Sequence, residues 1–143
     1  MISHFDENGQ YHCDDGPAFV SEDQQIYYKH GVIHRVGGPA LISRNLEIYY
    51  NNGVIHRAGG PAFITPDSYT YYNNGVIHRE NGPARVIMTD SYFSHHYYSN
   101  GVIQMIKRYN CEPSLEQEEI YIRGEISQNN YYQNDRIVHA ITY

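Results

Sequence analysis

The sequence predicts an all-β fold: a single twisted antiparallel meander of stacked 22-residue β-hairpin repeats, ending in a degenerate C-terminal cap. Three observations carry this. One phrase recurs at a fixed step, as YYKHGVIHRVGGPALI from Tyr27, YYNNGVIHRAGGPAFI from Tyr49 and YYNNGVIHRENGPARVI from Tyr71. Each copy sets a turn dipeptide, Asn-Gly in two of the three, between β-forming residues. That is a strong hairpin signal, because both turn positions favour positive φ. The chain also holds 16 Tyr and no Trp, and Tyr, with an apolar body and a polar tip, suits a half-wet sheet face.

The elements follow in chain order. Stepping back 22 residues from Gly31, His34 and Pro39 reaches Gly9, His12 and Pro17, so FDENGQYHCDDGPAFV is a first copy, with Phe5 for the first Tyr and Cys13 for Arg. Tyr97, Tyr98, Asn100 and Gly101 open a fifth copy after a longer step of 26; Gln104 replaces His there and no Gly-Pro-Ala follows. Beyond it YIRGEI at 121–126 and YYQNDRI at 131–137 are echoes, as expected of the atypical end of a stacked array. Regular repeats therefore cover about 5–104 of a single 1–143 repeat domain, and 105–143 diverges.

Within a repeat, the Asn-Gly hairpin is followed by a Gly-Pro break, since Pro gives no N–H to a ladder. A short strand such as AFIT and a PDS turn come next. That amounts to roughly one hairpin per repeat and about ten strands. A lone hairpin is barely stable, so the copies must stack. A 22-residue step is too short for helix-pair repeats. Neighbours along a strand face apart, so Tyr27, Tyr49, Tyr71 and Tyr97 line one face and Tyr28, Tyr50, Tyr72 and Tyr98 the other. One ladder is expected to pack inward and the other to be partly exposed. Ser114 and Gln117 have capping-box spacing for a helix over Pro113–Ile120, yet Ile120–Ile122 reads equally as a strand.

Composition bounds the function. The net charge is −6, which disfavours an extended duplex nucleic-acid surface. No apolar run is long enough to span a membrane, and MISHFDENGQ lacks the basic and apolar regions of a secretion signal. Cys13 and Cys111 have no paired spacing, so neither a zinc ribbon nor a disulfide framework is expected. A reducing, cytoplasmic setting follows.

The repeated polar residues each invite two readings. His34, His56 and His78, with His12 before them, should form a ladder. Equivalent residues in adjacent repeats lie about two strand spacings apart, ~9–10 Å, too far to share a zinc ion whose ligands lie within ~4 Å of each other. The histidines are therefore read as structural, each bonding a backbone group of the Gly-Pro-Ala loop, and no metal or cofactor is expected. Arg35, Arg57 and Arg79 either pair with Glu47, Asp67, Glu80 or Asp90, or gather an anion. Tyr49, Tyr50, Tyr71 and Tyr72 either pack or stack a ligand. His95 and His96 are expected to decorate a loop. No GxSxG, HExxH or P-loop is present, and identical residues in every repeat build one asymmetric active site poorly, so the chain is read as a non-enzyme.

The Tyr-Tyr-x-Asn-Gly hairpins at this step resemble MORN repeats, and the HRxxGPA form resembles the variant found in phage, bacterial and giant-virus proteins. The likeness covers 5–104 well, with Gly-Pro-Ala standing where MORN repeats carry Gly-x-Gly. The resemblance implies a twisted single sheet used for protein contacts, without catalysis, and in a related bacterial family an inhibitor. The expected function is a protein-binding module or inhibitor of phage or bacterial origin, using Arg35, Arg57, Arg79, Tyr49, Tyr50, Tyr71 and Tyr72. The alternative is a binder or sponge for an anionic, nucleotide-like ligand.

Overall fold

The computed structural model of the protein describes residues 1–110, 116–122, 125–133 and 136–142. Regular structure among them is β throughout, with nineteen strands and no helix. In chain order these are β1 Ile2–Ser3, β2 Phe19–Val20, β3 Gln24–Ile26, β4 Tyr28–Lys29, β5 Val32–Ile33, β6 Leu41–Ser43 and β7 Leu46–Ile48. There follow β8 Tyr50–Asn51, β9 Val54–Ile55, β10 Phe63–Thr65, β11 Ser68–Thr70, β12 Tyr72–Asn73, β13 Val76–Ile77 and β14 Arg85–Met88. The last five are β15 Tyr92–Ser99, β16 Val102–Asn110, β17 Glu116–Ile122, β18 Glu125–Gln133 and β19 Arg136–Thr142. The chain forms two compact units, residues 1–66 with 71–75, and residues 67–70 with 76–143.

In the first unit the sheet runs β1-β2-β3-β6-β7-β10, each neighbour antiparallel, while β4–β5 and β8–β9 are separate two-strand ribbons. The register explains the split. Ile48 faces Phe63 and Tyr50 faces Ile55, so residues 56–62 lie opposite Tyr49 alone. The chain leaves the sheet after His56 and returns at Ala62. Tyr49 closes the gap from both sides: its N–H donates to the Ala62 carbonyl at 2.8 Å and its carbonyl accepts the His56 N–H at 3.1 Å. Tyr27 does the same with Ala40 and His34, at 2.8 and 3.0 Å. Each repeat thus makes two hairpins joined by an excursion. This is why the strands number more than the ten or so expected.

The turns have the expected chemistry. Asn52 and Gly53 have φ of 48° and 79°, and Asn74 and Gly75 of 47° and 82°, the consecutive left-handed residues of a type I′ turn. His30 at the equivalent place has φ 47°. Ribbons stack through these turns, the Gly53 N–H donating to the Ile33 carbonyl and the Gly75 N–H to Ile55, both at 2.9 Å. The core is a spine of small residues. Ala18, Ala40 and Ala62 are fully buried, joined by Ile48, and among the described residues no large side chain is enclosed completely. Both tyrosine ladders are half-buried, Tyr27 and Tyr49 as much as Tyr28 and Tyr50. The expected division into an inward and an exposed ladder is not found, because the first Tyr of each pair is held beneath an arginine, as shown below.

In the second unit the order is β11-β14-β15-β16-β17-β18-β19, again antiparallel. Its strands are longer because no Gly-Pro excursion interrupts them after Ala84. Tyr98 faces Ile103 and His96 faces Ile106, so Gln104 and Met105 lie opposite Tyr97, a bulge of one extra residue, where the earlier copy sets seven opposite Tyr49. The register slips again between Ile120 and Tyr121 and between Tyr131 and Tyr132. The two sequence echoes therefore fall in antiparallel strand pairs with the same kind of slip, β17–β18 and β18–β19; residues 123–124 and 134–135 lie outside the described residues. Residues 116–120 of the candidate helix are strand; 113–115, and Cys111, lie outside the described residues. His95 and His96 sit in the middle of β15 and face opposite sides, not on a loop: Phe93, Tyr97 and Tyr98 around them are aromatic β-formers, and the strand pairs with β14 and β16.

Candidate functional site

The excursion loops carry the HRxxGPA phrase, and its geometry is the same in successive copies. The Arg57 guanidinium lies over the Tyr49 ring, Cζ 3.9 Å from the centroid, and Nη1 donates to the Pro61 carbonyl at 3.1 Å. Arg35 repeats this over Tyr27 at 3.8 Å, with the Pro39 carbonyl at 3.1 Å. Arg79 donates to the Pro83 carbonyl at 3.1 Å. The spacing between Arg and Gly then has a steric cause. A Cβ on Gly38 or Gly60 would lie 3.0 Å from the guanidinium carbon of Arg35 or Arg57, so any larger third residue after Arg crowds the guanidinium out of its place. The arginine is a clamp closing its own loop. For Arg35 and Arg57 the partners are a ring and a carbonyl, not Glu47, Asp67, Glu80 or Asp90, because the excursion turns the guanidinium back over the sheet.

The histidines act between repeats. Nδ1 of His34 accepts the Asn52 N–H at 3.0 Å, His56 accepts Asn74 at 3.2 Å, and His78 accepts Asn100 at 3.2 Å. His12 accepts the His30 N–H at 3.3 Å, and the two rings stack with centroids 4.0 Å apart. The partner is thus the turn of the following repeat rather than the Gly-Pro-Ala loop. An orphan N–H in a left-handed turn residue gains an acceptor, and neighbouring ribbons are fixed in register. Among the described residues no three His, Cys, Asp or Glu side chains are grouped to hold a metal ion, and no helix is long and apolar enough to cross a membrane.

Between successive loops runs a groove of about 410 Å³, lined by His34, Arg35, Val36, Gly37, Gly38, Tyr49, Tyr50, Asn51, His56, Arg57 and Ala58. Six of the residues singled out from the sequence line it together: Arg35, Arg57, Tyr49 and Tyr50, with His34 and His56. Tyr71 and Tyr72, half-buried at the end of the first unit, and Arg79, in the second, lie outside it. Val36, 84% exposed, stands on the rim. The preceding groove, about 350 Å³, has the same build but a different charge. Cys13, Asp14 and Asp15 take the place of one arginine wall, and Lys29 joins Tyr27, Tyr28, His34 and Arg35. One architecture therefore presents a basic groove, with Arg35 and Arg57 and no carboxylate, beside one in which Asp14 and Asp15 balance Lys29 and Arg35.

The first copy also holds a charged cluster that sequence reasoning missed. Asp6 caps its own turn, accepting the Asn8 and Gln10 N–H groups at 3.0 and 2.9 Å, and pairs with His30 Nδ1 at 2.8 Å. The bond from His30, then that from Gln10, holds the Asp6 carboxyl below the usual range. The signal was available: His30 stands where other copies have Asn.

No family model matches this sequence, and neither a curated protein nor a solved structure matches it.

Proposed function

We propose that this chain is a non-enzymatic binding module of the MORN-like kind, docking a protein partner along the grooves between its repeat loops. The observation that carries the reading is the repetition of one groove at a 22-residue step with different charge in each copy. A series of shallow, similar sites suits an extended segment of another protein. It does not suit a single reaction centre, which needs unlike groups converging on one point. Half-buried tyrosines and arginines are also the residue types that dominate protein interfaces. The source suggested by the HRxxGPA phrase makes an inhibitor of a host protein, working in the host cytoplasm, the natural setting.

A second reading rests on its own observation. Arg35 and Arg57 share one groove and neither forms an ion pair among the described residues, which favours an anionic, nucleotide-like ligand there.

Affinity capture tests the first reading. Val36 and Ala58 are exposed on the loops and their side chains hold nothing together, so Val36→Glu with Ala58→Glu changes the groove and spares the fold. A partner captured by wild type and lost by this variant, at equal melting temperature, supports docking in the groove. A captured set identical for both chains contradicts it. A nucleotide panel whose thermal shift vanishes in Arg57→Lys would favour the second reading instead.

A further inference from the structure

Directly opposed residues across antiparallel strands share a face, so each unit can be read in rows. In the first unit one row is Phe19, Ile26, Leu41, Ile48 and Phe63, apolar at every position. The corresponding row of the second unit is Thr70, Arg85, His96, Ile106, Glu119 and Asn129. Arg85 follows the buried Ala84 as Phe19, Leu41 and Phe63 follow Ala18, Ala40 and Ala62. The repeat asks for an apolar residue there and the chain supplies a guanidinium. Thr70, Ile106, Glu119 and Asn129 around it are buried.

The surroundings leave that guanidinium short of a partner. The Arg85 Nε is buried and meets no hydrogen-bond acceptor, and no ion pair forms with Arg85 among the described residues. Arg108, opposite Ser94 on the same face, gives its Nη1 to Glu119 at 2.8 Å. Ser94, almost fully enclosed, bonds His96 Nε2 through Oγ at 3.0 Å. Burial, followed by Arg85 and Arg108, keeps His96 uncharged at neutral pH by lowering its pKa to about 4. Two guanidiniums therefore flank one neutral imidazole, with Glu119 the one carboxylate paired with either of them among the described residues.

We propose that Arg85, His96 and Arg108, on β14, β15 and β16, form a binding site for one oxyanion group, a phosphate or a carboxylate. Such a group supplies the acceptor that Arg85 Nε lacks and the second negative charge that the arginine pair lacks. The site is separate from the loop grooves and does not depend on their reading.

The test uses the full chain, melted at matched ionic strength in chloride, inorganic phosphate or acetate, with the Arg85 Nε–Hε resonance followed by NMR. Phosphate or acetate should raise the melting temperature by mass action and move that resonance, the larger response assigning the group. Arg85→Phe, which restores the residue type of Phe63, and Arg85→Met should abolish the rise, while Arg57→Ala should keep it. No response to either anion in wild type overturns the proposal, as does a rise that persists in Arg85→Phe or Arg85→Met. Should both variants fail to fold, an unmoved Arg85 resonance in the wild-type titration overturns it alone.

Discussion

Arg57 and Tyr49 belong to one loop closure: the guanidinium covers the ring 3.9 Å above its centroid while the same tyrosine holds both ends of the excursion through its backbone. Arg57→Ala should therefore destabilise the protein by about 1–3 kcal/mol, from a half-buried cation–π contact and a charged hydrogen bond. Gly60→Ala pushes a methyl into the same guanidinium and should cost a similar amount. Because both changes break one clamp, the double variant should lose clearly less than the sum. Urea unfolding of the four chains measures this, and strict additivity would contradict the clamp.

The bond from Asn74 to His56 couples one repeat to the next. His56→Phe keeps a planar ring and removes the acceptor. The exposed Asn74 N–H can still meet water, so the expected loss is about 0.5–1.5 kcal/mol. Amide hydrogen exchange should show Asn74 losing protection first, with the Ile48 amide in β7 little changed. An unaltered Asn74 rate would show that the ring does not hold the turn.

Gly75 must be Gly for two reasons: φ is +82°, and a Cβ would sit 3.3 Å from Val54 Cγ1 of the repeat before. Gly75→Ala should cost about 1–2 kcal/mol from the left-handed backbone alone. Gly16 has ordinary φ and no close neighbour under 3.9 Å, so Gly16→Ala is the control and should be near neutral. Equal melting temperatures for the two variants would contradict the turn geometry.

Much of this was legible because the repeat declares it. The step, the Asn-Gly turns and the β class follow from local chemistry that each copy repeats. What the sequence hid depends on where the excursion folds back. Arg57 was read either as pairing with carboxylates such as Asp67 or as gathering an anion, and its guanidinium lies on Tyr49, a contact set by residues 56–62 leaving the sheet together. His56 was expected to brace its own loop, but the stacking distance brings the next turn within reach of its ring. The buried alanine spine was written in Gly-Pro-Ala but could not be recognised as core without knowing that both neighbouring strands close on it. The Arg85 row was visible in principle: aligning the copies sets Arg85 against Phe19, Leu41 and Phe63. His95 and His96 were misplaced because the extra residues of the fifth copy read as a loop insertion, whereas they extend a strand.

His96 gives the chain an acid-sensitive element. Its folded pKa is lowered to about 4 by burial and by Arg85 and Arg108, with Glu119 opposing, against an unfolded value of about 6.5. Between those values the unfolded chain binds the proton and the folded chain does not. Stability from this group is therefore complete above pH ~6.5 and is lost as pH falls toward about 4. His96→Gln should flatten the stability profile across that window relative to wild type, by denaturant midpoints at several pH values. Parallel profiles would contradict it.

Site-specific photo-crosslinking tests whether a partner docks in the loop grooves. A benzophenone side chain is placed at Val36 or Ala58 on the groove rim, or at Asn45 in the exposed turn between β6 and β7. Each chain is then irradiated in a lysate of the cells in which the protein works. The account predicts one shared protein adduct from positions 36 and 58, weak or absent from 45, and suppressed by excess unlabelled wild type but not by the Val36→Glu, Ala58→Glu chain. Adducts as strong from 45 as from 36 and 58, or none from the groove positions, would contradict it.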